Sequence, residues 1–259
     1  MKLHTSRLGP LGAPRVLLLH GGGTRSWSWR EQHPALAGHR ALIPDLPGHG
    51  LSPGPLRFAD AAQRLADLLE QEGGAARVVG LSIGSQLALT LLALRPDLVL
   101  GALLTGTLAV PIPGGAWLSG TPNRLLTDLY WPLRNAAPLL AMNREQLELP
   151  ARYAADLAAD TRELPRQTSL DIMRENMAFV PDPELARIPV PVTLLVGSRE
   201  AQVLNRSARS LLRLLPLARA YTVPGVNHMW PLSHPQRYNA VLTAWLAGEE
   251  LPGELVRLG

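Results

Sequence analysis

The stretch RVVGLSIGSQLAL, Arg77 to Leu89, passes from an apolar strand pattern straight into an apolar helix pattern, with Ser82 between them. Gly80 and Gly84 stand two residues to either side. A parallel strand that feeds a helix at once needs a very sharp turn. The residue at its apex is forced into a strained backbone with φ above zero. Side chains two residues either way would then collide with the crossing helix and strand, and glycine at both places removes the collision. The apex side chain is left projecting at the carboxyl end of the sheet, where α/β proteins bind their ligands. Gly80-Leu81-Ser82-Ile83-Gly84 meets that geometry with a hydroxyl at the apex, the pattern of a nucleophile elbow.

On either side of this turn, strands alternate with helices. Val16–Leu19 reads as a buried strand ending at HGGG, and Ala41–Ile43 as another ending at PDLPGHG. Phe58, Ala62, Leu65 and Leu69 recur at helical spacing, which predicts a helix over 58–72 stopped by Gly73-Gly74. Arg77–Leu81 is a strand and Ile83–Leu94 a helix ended by Arg95-Pro96. Strands follow at Leu98–Leu104, Val192–Val196 and Ala220–Val223, with helices at Leu204–Leu215 and roughly 236–247. Strands apolar on both faces predict an α/β fold with a mostly parallel sheet covered on both sides. The residues before Arg15 suffice for one hairpin-like addition at the sheet edge. Residues 107–186 differ: they carry many prolines, helical fragments and no strand pattern. Lying between two sheet strands, they form an insertion, so the core comprises 1–106 and 187–259.

Composition narrows the chemistry. A chain of 259 residues suits one α/β unit with an insertion. It has no cysteine, which excludes disulfides, thiolate catalysis and zinc–sulfur sites. The net charge is +4, but the arginines scatter and form no dense basic face, so nucleic acid is not the expected partner. Val16–Leu19 is too short for a signal-peptide core, and Arg95-Pro96-Asp97 break the apolar run from Gln86 to Val110. The expected location is therefore cytoplasmic, with no membrane span. No signal bears on oligomeric state.

A serine nucleophile needs a base. His228, in VPGVNHMWPLSHP just after the last of these strands, lies at the same sheet edge as Ser82. His234 is the second candidate, although Pro235 after it suggests a helix start. His20 and His49 sit beside glycines in tight turns and read as structural, while His33 and His39 read as surface residues. The base in turn needs an acid, and Glu200 is the first carboxylate beyond the strand ending at Val196. The rival for Glu200 is a functionless surface turn beside Arg199. The order Ser…Glu…His is allowed for this architecture. An oxyanion hole needs backbone donors: the Ile83 N–H at the helix start, and an N–H from HGGG, either Gly22 or Gly23. HGGGT lacks the endings and spacings of phosphate-binding loops.

LLLHGGG with Trp27 and Trp29 downstream, IPDLPGHGLS, VVGLSIGS, LLVGSRE and VPGVNHMWPLSHP together resemble the α/β-hydrolase superfamily, in its capped, carboxylesterase-like serine hydrolases. They fall in the family's order and span nearly the whole chain outside the insertion. The resemblance implies an eight-stranded sheet with helices on both faces, a helical cap formed by 107–186, and serine-hydrolase roles for Ser82 and His228. The chain departs at the acid, where the family more often has aspartate. Serine at the apex disfavours the family's dehalogenases and epoxide hydrolases, which use aspartate there. The expected activity is hydrolysis of small, apolar carboxylic esters through an acyl-enzyme, with Ser82, His228 and Glu200 catalytic, Gly22 and Ile83 as oxyanion donors, and no cofactor or metal. Hydrolysis of carbon–carbon, thioester or lactone bonds with the same triad, or a receptor-like protein with slow turnover, are the alternatives. Substrate is expected to meet the insertion near Trp131 or Met142.

Overall fold

Leu17 and Leu19 pack in one hydrophobic cluster, Val16 and Leu18 in another, and all four are fully buried. A strand with two apolar faces must be covered on both. The computed structural model, which describes residues 2–112, 114–115 and 120–259, covers it in that way. Strands β1 (Thr5–Leu8), β2 (Arg15–Leu19), β3 (Arg40–Pro44), β4 (Ala76–Leu81), β5 (Val99–Thr105), β6 (Val192–Gly197), β7 (Ala218–Val223) and β8 (Val256–Arg257) form one sheet in the order β1-β3-β2-β4-β5-β6-β7-β8. The inner strands run parallel, and β1 and β8 are antiparallel edges. This is the eight-stranded, mostly parallel sheet that was expected. β1 is the predicted edge addition. β8 escapes a sequence reading because two residues, Val256 and Arg257, carry no alternation to detect.

One face is covered by α1 (Phe58–Gln71) and α2 (Ile83–Leu94), whose Leu65, Leu69, Leu87 and Leu91 join Leu17, Val78 and Leu104 of the sheet. α1 forms because its apolar residues fall on one stripe, and it ends where Gly73 and Gly74 take φ of +98° and +110°. The other face is covered by the 3-10 segment Ser26–Leu36 and the last helix of the fold, Pro235–Ala247. Their Trp29 and Tyr238 pack with Trp230 against Leu18, Val79 and Leu195.

The inserted block supplies α3 (Thr121–Tyr130), α4 (Ala137–Gln146), α5 (Ala154–Glu163) and α6 (Arg166–Ala178), with no strand among its described residues. Prolines open α3 and α4, where the missing N–H costs nothing. Two helices fasten the block to the core. On α5, Asp160 Oδ2 accepts from Trp27 Nε1 at 2.6 Å, and Arg25 pairs with Glu163 at 2.7 Å. Arg25 Nε also lies against Asp160 Oδ1 as an ion pair without hydrogen-bond geometry. On α6, Asp171 pairs with Arg57 at 2.8 Å and Glu175 accepts from the Phe58 N–H at 2.9 Å. After the block come α7 (Gln202–Leu214), the single turn α8 (Trp230–Ser233) and α9 (Pro235–Ala247). No helix among the described residues is long and apolar enough to cross a membrane.

Candidate active site

Ser82 adopts φ 56° and ψ −119°, a strained backbone for a residue with a side chain. Its N–H donates to Thr105 O at 2.8 Å, and its carbonyl accepts from the Ser85 N–H at 2.9 Å. Both glycines are needed where the sequence has them. A Cβ on Gly80 would stand 2.7 Å from Ser85 Cα, and one on Gly84 would stand 2.3 Å from Leu19 O. Helix α2 and strand β2 therefore approach the turn as closely as backbone allows, and Ser82 sits at the positive end of α2.

Glu200 lies three residues past β6 and its side chain is fully buried. Its Oε2 accepts from the Gly197 N–H at 2.7 Å, and its Oε1 meets His228 Nδ1 at 2.5 Å. Its neighbour Arg199 turns away to pair with Glu148 at 2.5 Å. The surface-turn alternative thus describes Arg199 and not Glu200. His228 sits on the loop after β7, and its backbone N–H is taken by Asn227 Oδ1 at 2.8 Å. With Nδ1–H donated to Glu200, Nε2 is the ring atom able to take a proton. His234 is elsewhere: it precedes α9, with Nδ1 2.9 Å from Ser233 Oγ.

Gly106 was not singled out from the sequence. It follows the last residue of β5 with φ +62°, and a Cβ there would stand 2.6 Å from His228 Nδ1 and 2.9 Å from Glu200 Oε1. The bare backbone makes the room in which acid and base meet. Its only sequence signal is its place, a glycine at the carboxyl end of the strand beside the elbow strand.

The glycine loop after β2 is braced by two buried histidines. His20 Nδ1–H donates to Gly21 O at 2.8 Å while Nε2 accepts from the Leu46 N–H at 2.9 Å. His49 Nε2 accepts from the Gly23 N–H at 3.1 Å, with Nδ1 3.2 Å from Pro47 O. Burial lowers His20 to about 4. Burial, followed by the neighbouring His20, lowers His49 to about 3. Both rings are therefore neutral crossbars near pH 7, each accepting a backbone N–H. Because the Gly23 N–H is spent on His49, the two loop candidates are not equivalent. Gly22 packs beside the helix start, where an added Cβ would lie 3.6 Å from Ile83 Cγ2 and 2.9 Å from Ile172 Cγ2 of α6.

Ser82, His228 and Glu200 line one cavity of about 330 Å³, walled by Leu108, Ile112 and Leu204 and by Asn176 and Met177 of α6. Among the described residues that line it, Glu200 is the only charged one, and that carboxylate is turned to His228. Trp131 and Met142 do not line it: Arg134 stacks on Trp131 at 4.2 Å, and Met142 is exposed. Among the described residues, the inserted block reaches the site through Leu108 and Ile112 near its start and through its last helix. A larger groove of about 620 Å³ lies beyond α6, between Phe58, Thr90 and Phe179, with no histidine among the described residues of its wall. Among the described residues no cluster of three or more histidine or carboxylate groups could hold a metal ion.

A sequence model of the Alpha/beta hydrolase family matches residues 16–241. An AB hydrolase superfamily protein of Gibberella zeae is 40% identical over 101 residues, 37% of this chain and 36% of that protein. The chain thus spans little more than a third of that relative's length. A pimeloyl-[acyl-carrier protein] methyl ester esterase of Edwardsiella ictaluri is 26% identical over 253 residues, 93% of this chain and 96% of that one. The crystal structure of MGS-M2, an alpha/beta hydrolase enzyme from a Medee basin deep-sea metagenome library, matches with a TM-score of 0.78 over 96% of both chains. At 16% identity that likeness speaks for the fold alone.

Proposed function

The chain belongs to the alpha/beta hydrolase family, and we propose that it is a serine hydrolase cleaving small, apolar carboxylic esters through an acyl-enzyme. The observation that carries this reading is the 2.5 Å contact of His228 Nδ1 with buried Glu200 Oε1, beside a serine on a strained turn in the same cavity. In this mechanism Ser82 Oγ attacks the ester carbonyl and His228 Nε2 takes its proton. Glu200 holds the ring in the Nδ1–H tautomer and stabilises the imidazolium. The oxyanion is received by the Ile83 and Gly22 N–H groups, where loss of one such donor typically costs about 3–4 kcal/mol. His228 then protonates the departing alkoxide, and water activated by the same ring releases the acid.

Residues 107–186 serve as the cap of this enzyme, with α6 over the oxyanion loop. A mostly apolar wall, whose described residues carry no charge but the one turned to His228, supports an uncharged acyl group. The esterase name of the Edwardsiella ictaluri relative agrees with the reaction class. The test is a series of p-nitrophenyl esters from acetate to decanoate, with Ser82→Ala as control and a fluorophosphonate as active-serine label. Wild type is expected to hydrolyse the esters and take the label. Ser82→Ala is expected to melt normally, to stay unlabelled, and to lose at least about 10³-fold in kcat, because nucleophile and base act as a unit. Labelling that persists in Ser82→Ala puts the nucleophile elsewhere.

A further inference from the structure

Gln86 lies one turn beyond Ser82 on α2 and is fully buried. Its Nε2 donates to two carbonyls from different parts of the molecule. One is Leu108 O at 2.8 Å, in the segment leaving β5, and the other is Asn176 O at 3.2 Å, in the last turn of α6. Carbonyls in a last helical turn have no intrahelical donor and need an outside one. Since both neighbours are acceptors, only the NH2 side of the amide can face them. Its Oε1 is left buried without a partner among the described residues. A buried acceptor with no donor is a standing cost. The neighbours Leu87, Ala88 and Leu89 show that packing at this depth is satisfied by apolar side chains. The polar side chain at 86 therefore has a use other than packing.

That use lies in what the two carbonyls belong to. Leu108 and Asn176 both line the cavity that holds Ser82 and His228. One amide on the nucleophile helix thus ties down two walls of the site. Behind the α6 wall there is space: Glu175 and Ala178 of the same helix line the groove of about 620 Å³, while Asn176 and Met177 face the substrate cavity. Past the end of α6, Phe179 meets Phe58 edge to face at 5.7 Å. Other polar holds of α6 on the core are the Phe58 N–H donated to Glu175 at 2.9 Å and, one turn earlier, the Asp171–Arg57 pair at 2.8 Å. We propose that Gln86 is a positioning residue that sets the width of the substrate cavity, and so the acyl length accepted, by clamping α6 and the Leu108 segment to the helix that carries Ser82. The inference rests on the ester-hydrolase reading for the meaning of that width, though not for the clamp itself.

Gln86→Met keeps the length and removes both donors. Across p-nitrophenyl esters, the decanoate-to-acetate ratio of kcat/KM is expected to rise at least tenfold in Gln86→Met, carried by KM for the long ester. A ratio that stays within twofold, or an equal fall for every ester, overturns the specificity role. Independently of activity, hydrogen exchange of the backbone amides at 107–110 and 173–178 is expected to speed up at least tenfold, with β4 unaffected. Unchanged protection there overturns the clamp. If wild type hydrolyses none of the esters, the ester-hydrolase reading fails, and the exchange measurement still decides the clamp. Gln86→Asn, an amide one methylene short of both carbonyls, guards against a Met variant that does not fold. It is expected to shift both readouts in the same direction, and identity with wild type in both overturns the proposal.

Discussion

A methyl group on Gly106 would stand 2.6 Å from His228 Nδ1 and Cε1, and the φ of +62° would strain an alanine besides. The left-handed backbone alone costs a residue with a Cβ about 1–2 kcal/mol, and the ring must move to admit the carbon. Gly106→Ala is therefore expected to lose at least about 10²-fold in kcat, since displacements near 1 Å cost that much. Kinetics beside a thermal melt check this, and a rate within threefold of wild type contradicts it. Glu200 is constrained on both oxygens, one by the Gly197 N–H and one by His228 Nδ1. A glutamine has a single carbonyl oxygen for these two donors. If that oxygen stays on Gly197, an NH2 group faces Nδ1 and drives the ring proton to Nε2, where it cannot act as base. Glu200→Gln is expected to cost about 10³–10⁴ in kcat with KM little changed. A near-native rate leaves Ser82 and His228 as a dyad. That Ser82, His228 and Glu200 meet at one sheet edge was legible in the sequence because each follows a recognisable strand. Gly106 was not, because its reason lies in two side chains far along the chain that only the folded sheet edge brings over it.

Helix α2 meets strand β2 at Gly84, where an added Cβ would stand 2.3 Å from Leu19 O and 2.7 Å from His20 O. Two effects oppose each other in Gly84→Ala. Alanine in place of glycine favours a helix by about 1 kcal/mol. Overpacking costs about 1–3 kcal/mol, and here the obstacle is a backbone carbonyl that cannot rotate aside. The clash wins: a fixed carbonyl puts the cost at the top of that range, so the expected net loss is about 2 kcal/mol, a fall in Tm of roughly 4–8 °C at this size. A melt at the wild-type Tm would show that α2 can lift from β2. Elements of this kind were readable because period and glycine punctuation agree. The inner strands and both helices around the elbow lie within a residue or two of where their patterns place them. The element that lines the cavity from the insertion was not readable. α6 was one of several helical fragments, and only tertiary packing puts Ile172 against Gly22 and Met177 on the cavity while Trp131 turns to Arg134.

Over the whole molecule, the buried ionisable groups set how stability answers to pH. The sequence marked His20 and His49 as structural from their glycine neighbours. It could not show that the loops at 20–24 and 45–50 bring the two rings edge to face, 5.1 Å apart, in the interior. In the unfolded chain a histidine titrates near 6.5, whereas burial lowers His20 to about 4 and His49 to about 3 in the fold. Between those limits the unfolded chain binds protons that the folded chain refuses, so acid favours unfolding. At 1.36 kcal/mol per unit, His20 alone withdraws about 3 kcal/mol by pH 4, and His49 withdraws a similar amount. Asp160 acts with the opposite sign. Burial raises it to about 6 despite Trp27 and Arg25, so on acidification the fold gains a proton before the unfolded carboxyl does. That gain is at most about 3 kcal/mol, and two histidines outweigh it. The Tm is therefore expected to fall as pH drops from 7 to 4, with most of the loss below 6.5. His49→Gln, which removes one of the two titrating rings, is expected to be less stable than wild type at pH 7. Its deficit should shrink steadily toward pH 4 in melts taken at each unit of pH. Parallel curves for the two proteins would mean that His49 is protonated as readily in the fold as outside it.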